Sequence, residues 1–420
     1  LKLGPKALQL AHSHWAAVSL ARLPNAMSAT EELVAALGRY ACGQSGGGHR
    51  AGGYALDCGA AAGRLEARGR PQPPRRARKA PRTHLHAELV RRRRDPAPSP
   101  KVAVQEALAA LALGRDGDGA GAVEALLARD GEEPIPCDWQ RRYKTRAMDY
   151  WDHFYVEKSV NFFKDRHYLR EEFAELMPEE VLSDPRRWIA PLSVASQAAE
   201  EEPPPQALDV ADLAARLAGR TVVLEVGCAV GNGILPLLRA NDNLFGLACD
   251  LSPTAVELLR QKEEYRCGRC VAFASDITCA ADGQPTPEHQ AVESVVPPES
   301  ADFATLLFVL SAIDPALHRA VIARLRSHLR PGGMVLFRDY GRGDLAQLRF
   351  GPGHWLGGDL YVRADGTLAA FFTLETLRGE FEAEGFDVVE CEYRRREIVN
   401  RGTGVVMPRV WVQGKFRRRA

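Results

Sequence analysis

Thr221 to Leu251 reads TVVLEVGCAVGNGILPLLRANDNLFGLACDL, and the fold is decided by this stretch. Val222, Val223, Leu224, Glu225 and Val226 form a short, mostly apolar run. It enters a turn with glycine at Gly227, Gly231 and Gly233, then a short helical pattern, then a second apolar run ending on Asp250. The order is strand, loop, helix, strand. An open α/β sheet holds a nucleoside in this way, with a glycine loop after one strand and a carboxylate at the tip of the next. The glycines let the backbone approach the ligand, the helix N-terminus faces it, and the carboxylate accepts hydrogen bonds from ribose hydroxyls.

The spacing Gly227-x-Ala229-x-Gly231-Asn232-Gly233 does not fit the dinucleotide fingerprint G-x-G-x-x-G. It resembles E-x-G-x-G-x-G-N, the first motif of methyltransferases that use S-adenosylmethionine, with Glu225 leading and Ala229 where a second glycine is usual. A glycine loop alone reads equally well as an ordinary strand-to-helix turn. Asp250 and Asp276, each closing a further strand, favour the ligand reading.

At 420 residues with 45% hydrophobic content, the chain has room for two or three domains and a large core. No apolar run reaches the roughly eighteen residues of a membrane span, so no membrane partner is expected. Residues 1–100 carry 17 Lys and Arg against 6 Asp and Glu, a net +11 that leaves the other 320 residues at −10. This basic region is rich in Ala, Gly, Pro and Arg, and reads as a disordered extension because it cannot bury enough surface to offset chain entropy. It is an organelle transit peptide, a basic arm for RNA phosphates, or weakly constrained sequence; the last reading is favoured because the chain opens on Leu1 rather than Met. Residues 101–138 form a short helical or linker segment with no assigned chemistry. The nine cysteines are scattered, which suits a reducing compartment, and a cytoplasmic location is expected, or an organellar one if the extension is a transit peptide. Cys267-Gly-Arg-Cys270 has no second pair at zinc-site spacing, so no metal is assigned.

Residues 139–196 change character and form an N-terminal cap region. Ten aromatics fall between Trp139 and Phe173, interleaved with Arg141, Arg142, Lys144, Arg146, Lys164 and Arg166. Such a segment can stack exposed bases and hold phosphates, or it can be a helical cap whose aromatic stripe packs on the sheet edge. Within it, WDHFY (151–155) and NFFKDRHYLREEF (161–173) closely resemble the N-terminal signature of the tRNA 3-methylcytidine methyltransferases. That resemblance implies that Trp151 and Tyr155 close over the cofactor.

A polar linker, QAAEEEPPPQ (197–206), leads into a catalytic domain over 207–420. Ser252 and Pro253 read as the N-cap and first residue of a helix. Cys270 to Asp276 reads as a third strand, and Ala301 to Leu310 as a central one. By the resemblance, Asp276 and Ile277 recognise adenine and Leu307 lines the cofactor. A helix over 315–329, the string LRPGG and a β-run from Met334 give a further methyltransferase-sheet signature. The strings FRDYG (337–341), LRF (348–350), YVRADGT (361–367) and FFT (371–373) match the family almost letter for letter, around an insertion over 341–373. The last two strands, Phe386 to Val399 and Val405 to Phe416, fit a sixth and an antiparallel seventh. The expected fold is therefore a seven-stranded, Rossmann-like class I methyltransferase α/β sheet with helices on both faces, an N-terminal helical cap and a substrate insertion after strand five.

The resemblance covers 139–420 and implies S-adenosylmethionine as cofactor, tRNA as substrate and position 32 of the anticodon loop as target. VPPES, HYLREEF and the VNR to PRVWVQGKF ending are closest to the branch that modifies serine tRNA, which brings in seryl-tRNA synthetase as a candidate partner. At pH 7 the lone pair of cytosine N3 is free, so no strong base is needed and alignment carries the rate. Asp339 and Arg338 are the candidate catalytic residues, holding the cytosine edge. Gly227, Gly231, Asp250, Asp276, Ile277, Leu307, Trp151 and Tyr155 are the candidate cofactor contacts. Lys164, Asp165, Arg166, Arg349, Arg363 and Arg395 are the candidate RNA contacts, with a structural salt bridge as the competing reading of Asp165 and Asp339. The alternatives are a small-molecule methyltransferase and a silent scaffold that binds tRNA, the latter on the strength of Ala229.

Overall fold

The structure, a computed structural model, describes residues 123–124, 127–128, 132–183, 210–279, 286–399 and 406–420. The expected extension over 1–100, most of 101–138, the linker over 197–206 and the Cys267 side chain lie outside the described residues. The chain divides into two compact units, and the functional site lies in the unit of residues 76–397 and 408–420. Of the other unit only the ends of two strands are described.

Helices Cys137–Thr145 (α1) and Ala147–Lys158 (α2) precede the sheet. Helix Val210–Leu217 (α3) leads into strand Thr221–Val226 (β1), followed by helix Ile234–Ala240 (α4) and strand Leu244–Asp250 (β2). Helix Pro253–Arg260 (α5) then precedes strands Cys270–Ala274 (β3) and Ala301–Leu307 (β4). As expected, Ser252 is the N-cap of α5, its Oγ accepting from Ala255 N at 3.1 Å, with Pro253 at the first position. Helix His318–His328 (α6) runs straight into strand Leu329–Tyr340 (β5), so the LRPGG string lies inside the strand rather than before it. Gly332, at φ +79°, absorbs the irregularity there.

The sheet order is β3-β2-β1-β4-β5, completed by strands Val406–Arg418 (β10) and then Phe386–Val399 (β9). β1, β2, β3, β4 and β5 pair in parallel, and β10 is antiparallel to β5 from Trp411↔Tyr340 to Arg417↔Met334. The seven-stranded class I sheet read from the sequence is thus present. Its order reverses between β1 and β4, the place where such sheets bind ligands.

Alternation along the strands explains the two cores. Val222, Leu224 and Val226 point to one face, where Val321, Ile322 and Leu325 of α6 and Leu377 and Phe381 of helix Leu374–Ala383 (α7) close over them. Val223 and Ala248 point to the other, against Leu237 and Leu238 of α4 and Leu259 of α5. Each fully buried Val or Leu contributes about 1.5–3 kcal/mol.

The insertion after β5 is a small antiparallel sheet of strands Trp355–Gly357 (β6), Leu360–Val362 (β7) and Leu368–Ala370 (β8). Leu360, Val362, Leu368 and Ala370 enter the main core, while Tyr361, Ala369 and Phe371 cluster on the opposite face. Phe350 stacks on Tyr361 at 4.8 Å and 11°. Asp344, fully buried, ties the insertion to β10: it accepts from both Arg409 Nε and Nη2 at 2.9–3.2 Å, from Val410 N at 2.8 Å and from Ala346 N at 2.7 Å.

Removing one partner of this buried pair leaves the other uncompensated, so Asp344→Ala is expected to lose on the order of 3–5 kcal/mol. Thermal denaturation checks this, with a Tm drop of roughly 10 °C for a domain of this size.

Candidate functional site

Two buried carboxylates shape the loop after β1. Glu225, 2% exposed, accepts from Ile234 N at 2.8 Å and so pins the first turn of α4. A Cβ on Gly233 would run into Glu225 Oε1, which explains that glycine. Asp250, 7% exposed, accepts from Ala229 N at 2.8 Å and Ser252 N at 2.9 Å, leaving lone pairs on both oxygens for further donors. Burial drives the pKa of Glu225 up to about 7, against the pull of Arg166 and the Ile234 N–H, and that of Asp250 up to about 6, against its two backbone donors.

Gly227 sits at φ +69° and Gly231 at φ +86°, and added Cβ atoms would overlap Val309 and Leu259 respectively. Ala229 adopts φ +52° without being glycine, at a cost of about 1–2 kcal/mol. Two contacts offset that cost. Its N–H reaches Asp250, and its methyl packs with Phe154, Tyr155, Val230 and Ala255.

The aromatic helix α2 covers this loop. Trp151, Phe154 and Tyr155 contact one another at 5.3–6.2 Å, with Phe154 edge-on to both other rings. Tyr155 is buried beside Asp250, and burial lifts its hydroxyl well above the ordinary range. The segment after α2 is stitched to the loop: Asn232 Nδ2 donates to Phe163 O and Asp165 Oδ1, and Arg166 N donates to Asn232 O at 2.9 Å. Asp165 also pairs with Arg239 at 2.6 Å. Burial would raise its pKa, and the hydrogen bonds from Arg239 and Asn232 outweigh this and leave it lowered.

Beyond the loop, Ser275 N donates to Asp250 O at 2.9 Å, which sets the end of β3 beside that of β2. β3 stops at Ala274 because Asp276 turns the chain, accepting from Thr278 N at 2.9 Å and Thr278 Oγ1 at 2.6 Å. Ile277 is buried, its carbonyl accepting from Arg324 of α6. Gly227, Asp250, Asp276 and Ile277 therefore cluster at neighbouring strand ends, and Leu307 closes β4 beside them.

The ends of β4 and β5, with the part of β10 that pairs beside Tyr340, carry a second group of residues. Phe308 takes φ +61° and donates its N–H to Arg338 O at 2.7 Å. Its half-buried ring meets Tyr340 at 5.1 Å and Trp411 at 5.8 Å. Guanidinium groups of Arg166, Arg363 and Arg409 lie 5.5–5.8 Å from these rings. Asp339, fully buried, accepts from Ser311 N at 2.9 Å and Tyr340 N at 2.8 Å, and burial raises its pKa to about 6.

Arg338 and Asp339 are consecutive on a strand and face opposite sides. Arg338 turns away to Glu172, at 3.0 Å, and to Gln413, with its guanidinium over Tyr168 and Trp411. The two candidate catalytic residues are therefore not brought to one place. Among the RNA candidates, Lys164 and Arg349 are exposed, Arg395 is exposed over Tyr393, and Arg363 reaches Thr367 and Leu368 within the insertion. Sequence reading missed Phe308, Tyr340, Trp411 and Arg409 as a group. The only signal was aromatic and basic content in three separate stretches of sequence.

Gly227→Ala places a methyl on Val309 in a left-handed backbone, an expected loss of about 1–3 kcal/mol. Calorimetric unfolding should show a Tm lowered by several degrees, with nucleoside binding abolished.

The chain matches the family model described as a methyltransferase domain over residues 197–391. It is 40% identical over 297 residues to the tRNA N(3)-cytidine methyltransferase METTL2 of Xenopus tropicalis, covering 70% of this chain and 85% of that one. It is 39% identical over 305 residues to METTL6 of Mus musculus, with 71% and 93% covered, and 36% identical over 333 residues to METTL2B of Homo sapiens, with 70% and 85% covered. The carboxylate-pinned glycine loop, the sheet order and this similarity along most of each relative's length agree, and the chain belongs to the family of tRNA N(3)-cytidine methyltransferases.

Proposed function

We propose that the protein methylates N3 of a cytosine in tRNA, using S-adenosylmethionine, at position 32 of the anticodon loop. The observation that carries this reading is the meeting of two sites at the switch point of one sheet. One is the glycine loop with Asp250, and the other is the ring and guanidinium cluster of Phe308, Tyr340, Trp411, Arg166 and Arg363.

The residues present suit the donor. Gly227 and Gly231 keep a cradle that a Cβ would fill, Asp250 has spare acceptor capacity for ribose hydroxyls, and Trp151 and Tyr155 form its cover. When bound, S-adenosylmethionine supplies an electrophilic methyl whose positive charge passes to the cytosine ring on transfer. This chain's own residues orient the base, exclude water and offer charge. Half-buried rings at a basic strand end suit an unstacked base. Asp339 is the group proposed to meet the charge developing on the base and to accept from its exocyclic amine. Arg338 acts through others, fixing the end of β5 against Glu172 and Gln413. Lys164, Arg349 and Arg395 offer phosphate contacts on the surface.

Serine tRNA is the isoacceptor proposed, and seryl-tRNA synthetase the partner proposed, on the VPPES, HYLREEF and PRVWVQGKF strings. Incubating the protein with S-adenosylmethionine and serine, threonine or arginine tRNA, then measuring 3-methylcytidine by mass spectrometry, tests both substrate and isoacceptor. No product on any tRNA, with and without the synthetase, defeats the reading.

Asp339→Asn keeps the shape and removes the charge, and should lower kcat/KM on the order of 10²–10³-fold. Asp250 and Asp339 act as carboxylates, and burial raises both to about 6. Activity therefore falls as pH drops through about 6 and recovers as pH rises beyond it, which a pH–rate profile reads directly.

A further inference from the structure

Asp152 lies on α2, the second residue of the W-D-x-F-Y string, and is 8% exposed. Its Oδ1 accepts from Ser252 Oγ at 2.9 Å and from Thr254 N at 3.0 Å, across 100 and 102 residues of sequence. Thr254 N is one of the N–H groups that the first turn of α5 leaves without a partner in its own helix. Ser252 caps the same helix, accepting from Ala255 N, and gives its own N–H to Asp250 Oδ1 at 2.9 Å. Asp250 Oδ2 in turn holds Ala229 N at 2.8 Å. One chain of hydrogen bonds runs from the covering helix, through the cap of α5, to the nucleoside carboxylate and the glycine loop.

Packing alone does not account for a carboxylate here. Phe154 and Tyr155 of α2 and Ala255 of α5 form an apolar cluster, whereas Asp152 makes polar contacts with α5. A second carboxylate placed near Asp250 raises the free energy of the ionised pair. Holding two donors and the positive end of α5 is what the acidic group adds.

We infer that Asp152 is a positioning residue that couples the docking of α2 to the seating of Asp250, so that donor binding and closure of the aromatic helix are one equilibrium. The inference rests on the nucleoside-donor reading of the site given above. Linkage makes the coupling reciprocal: ligand at Asp250 orders α2, and ordering of α2 tightens the ligand.

The groups facing Asp250 are Asp152 and Tyr155 from α2, Glu225 from β1, Cys228 from the loop, Cys249 from β2 and His289 from the stretch before β4. Burial is the main reason Asp250 titrates high, and Asp152 adds like-charge repulsion to it. Neutralising Asp152 should therefore lower the pH at which Asp250 loses its charge.

The test is calorimetric titration of the full chain with S-adenosylhomocysteine from pH 5 to 8, with hydrogen exchange of 147–158 measured with and without ligand. Asp152→Ala should bind about tenfold more weakly or worse, as loss of two charge-assisted hydrogen bonds predicts, and ligand should no longer protect α2. Asp152→Asn retains the Oδ1 acceptor and should bind within about threefold of the wild type at pH 7.5. Its acid limb should lie at lower pH than that of the wild type, because the like charge beside Asp250 is gone. Asp152→Ala with Ser252→Ala should lose less than the two single losses combined. Wild-type affinity and α2 protection in Asp152→Ala, or an unshifted pH profile in Asp152→Asn, overturns the inference. If Asp152→Ala fails to fold, Ser252→Ala, which removes one of the two donors to Asp152, decides: unchanged affinity and unchanged α2 protection by ligand overturn the inference. Failure of the wild type to bind S-adenosylhomocysteine defeats the proposed function itself, which separates the two failures.

Discussion

Everything at the site depends on two carboxylates held out of water against backbone N–H groups. Glu225 secures the start of α4 and Asp250 secures both Ala229 and Ser252, so the loop between β1 and α4 is fixed at each end by a buried acceptor. A buried donor without a partner costs about 1–3 kcal/mol, so removing either acid would release the loop. The glycines follow from this arrangement. Gly233 leaves space for Glu225, and Gly227 and Gly231 take left-handed turns that bring the loop under Val309 and Leu259. The cap region is built onto that loop, with Asn232 holding Phe163 and Asp165, and Asp165 drawn to Arg239.

Much of this was legible in the sequence because it is local or periodic. β1 and β2 are buried along nearly their whole length, and such strands appear as continuous apolar runs. The Ser252–Pro253 start of α5 and the extent of β9 were also readable. Boundaries failed where a side chain redirects the backbone. Asp276 ends β3 early through its turn with Thr278, and β4 stops at Leu307 because Phe308 leaves the extended region.

Pairings across long sequence separations were not legible. Arg338 reads as part of a motif with Asp339, and the string FRDYG gives no hint that the two side chains separate. Strand alternation sends Arg338 to Glu172 and Gln413, and Asp339 to Ser311. Glu172 belongs to the cap and Gln413 to β10, so Arg338 joins three parts of the chain that only tertiary structure brings together. The ring cluster of Phe308, Tyr340 and Trp411 has the same origin, since each ring comes from a different part of the chain. Asp165 reads in sequence as an RNA contact or a structural salt bridge, and the arginine it pairs with is Arg239, 74 residues away.

The charge flow of the reaction suits the acid at the end of β5. Methylating N3 removes positive charge from sulfur and places it on the cytosine ring, so the acceptor side of the pocket becomes cationic as the bond forms. A solvated carboxylate would be screened at that moment by water that must reorganise, whereas Asp339 is held in advance by Ser311 N and Tyr340 N in a site closed to solvent. Burial raises its pKa to about 6, low enough that it remains ionised at neutral pH and high enough that its ground state lacks full stabilisation. In the proposed reaction a cation forming beside it would supply what burial withholds, making the interaction stronger in the transition state than in the ground state, as catalysis by differential binding requires. The role proposed for Asp339 is thus that of a fixed negative charge, which requires no base strong enough to deprotonate cytosine.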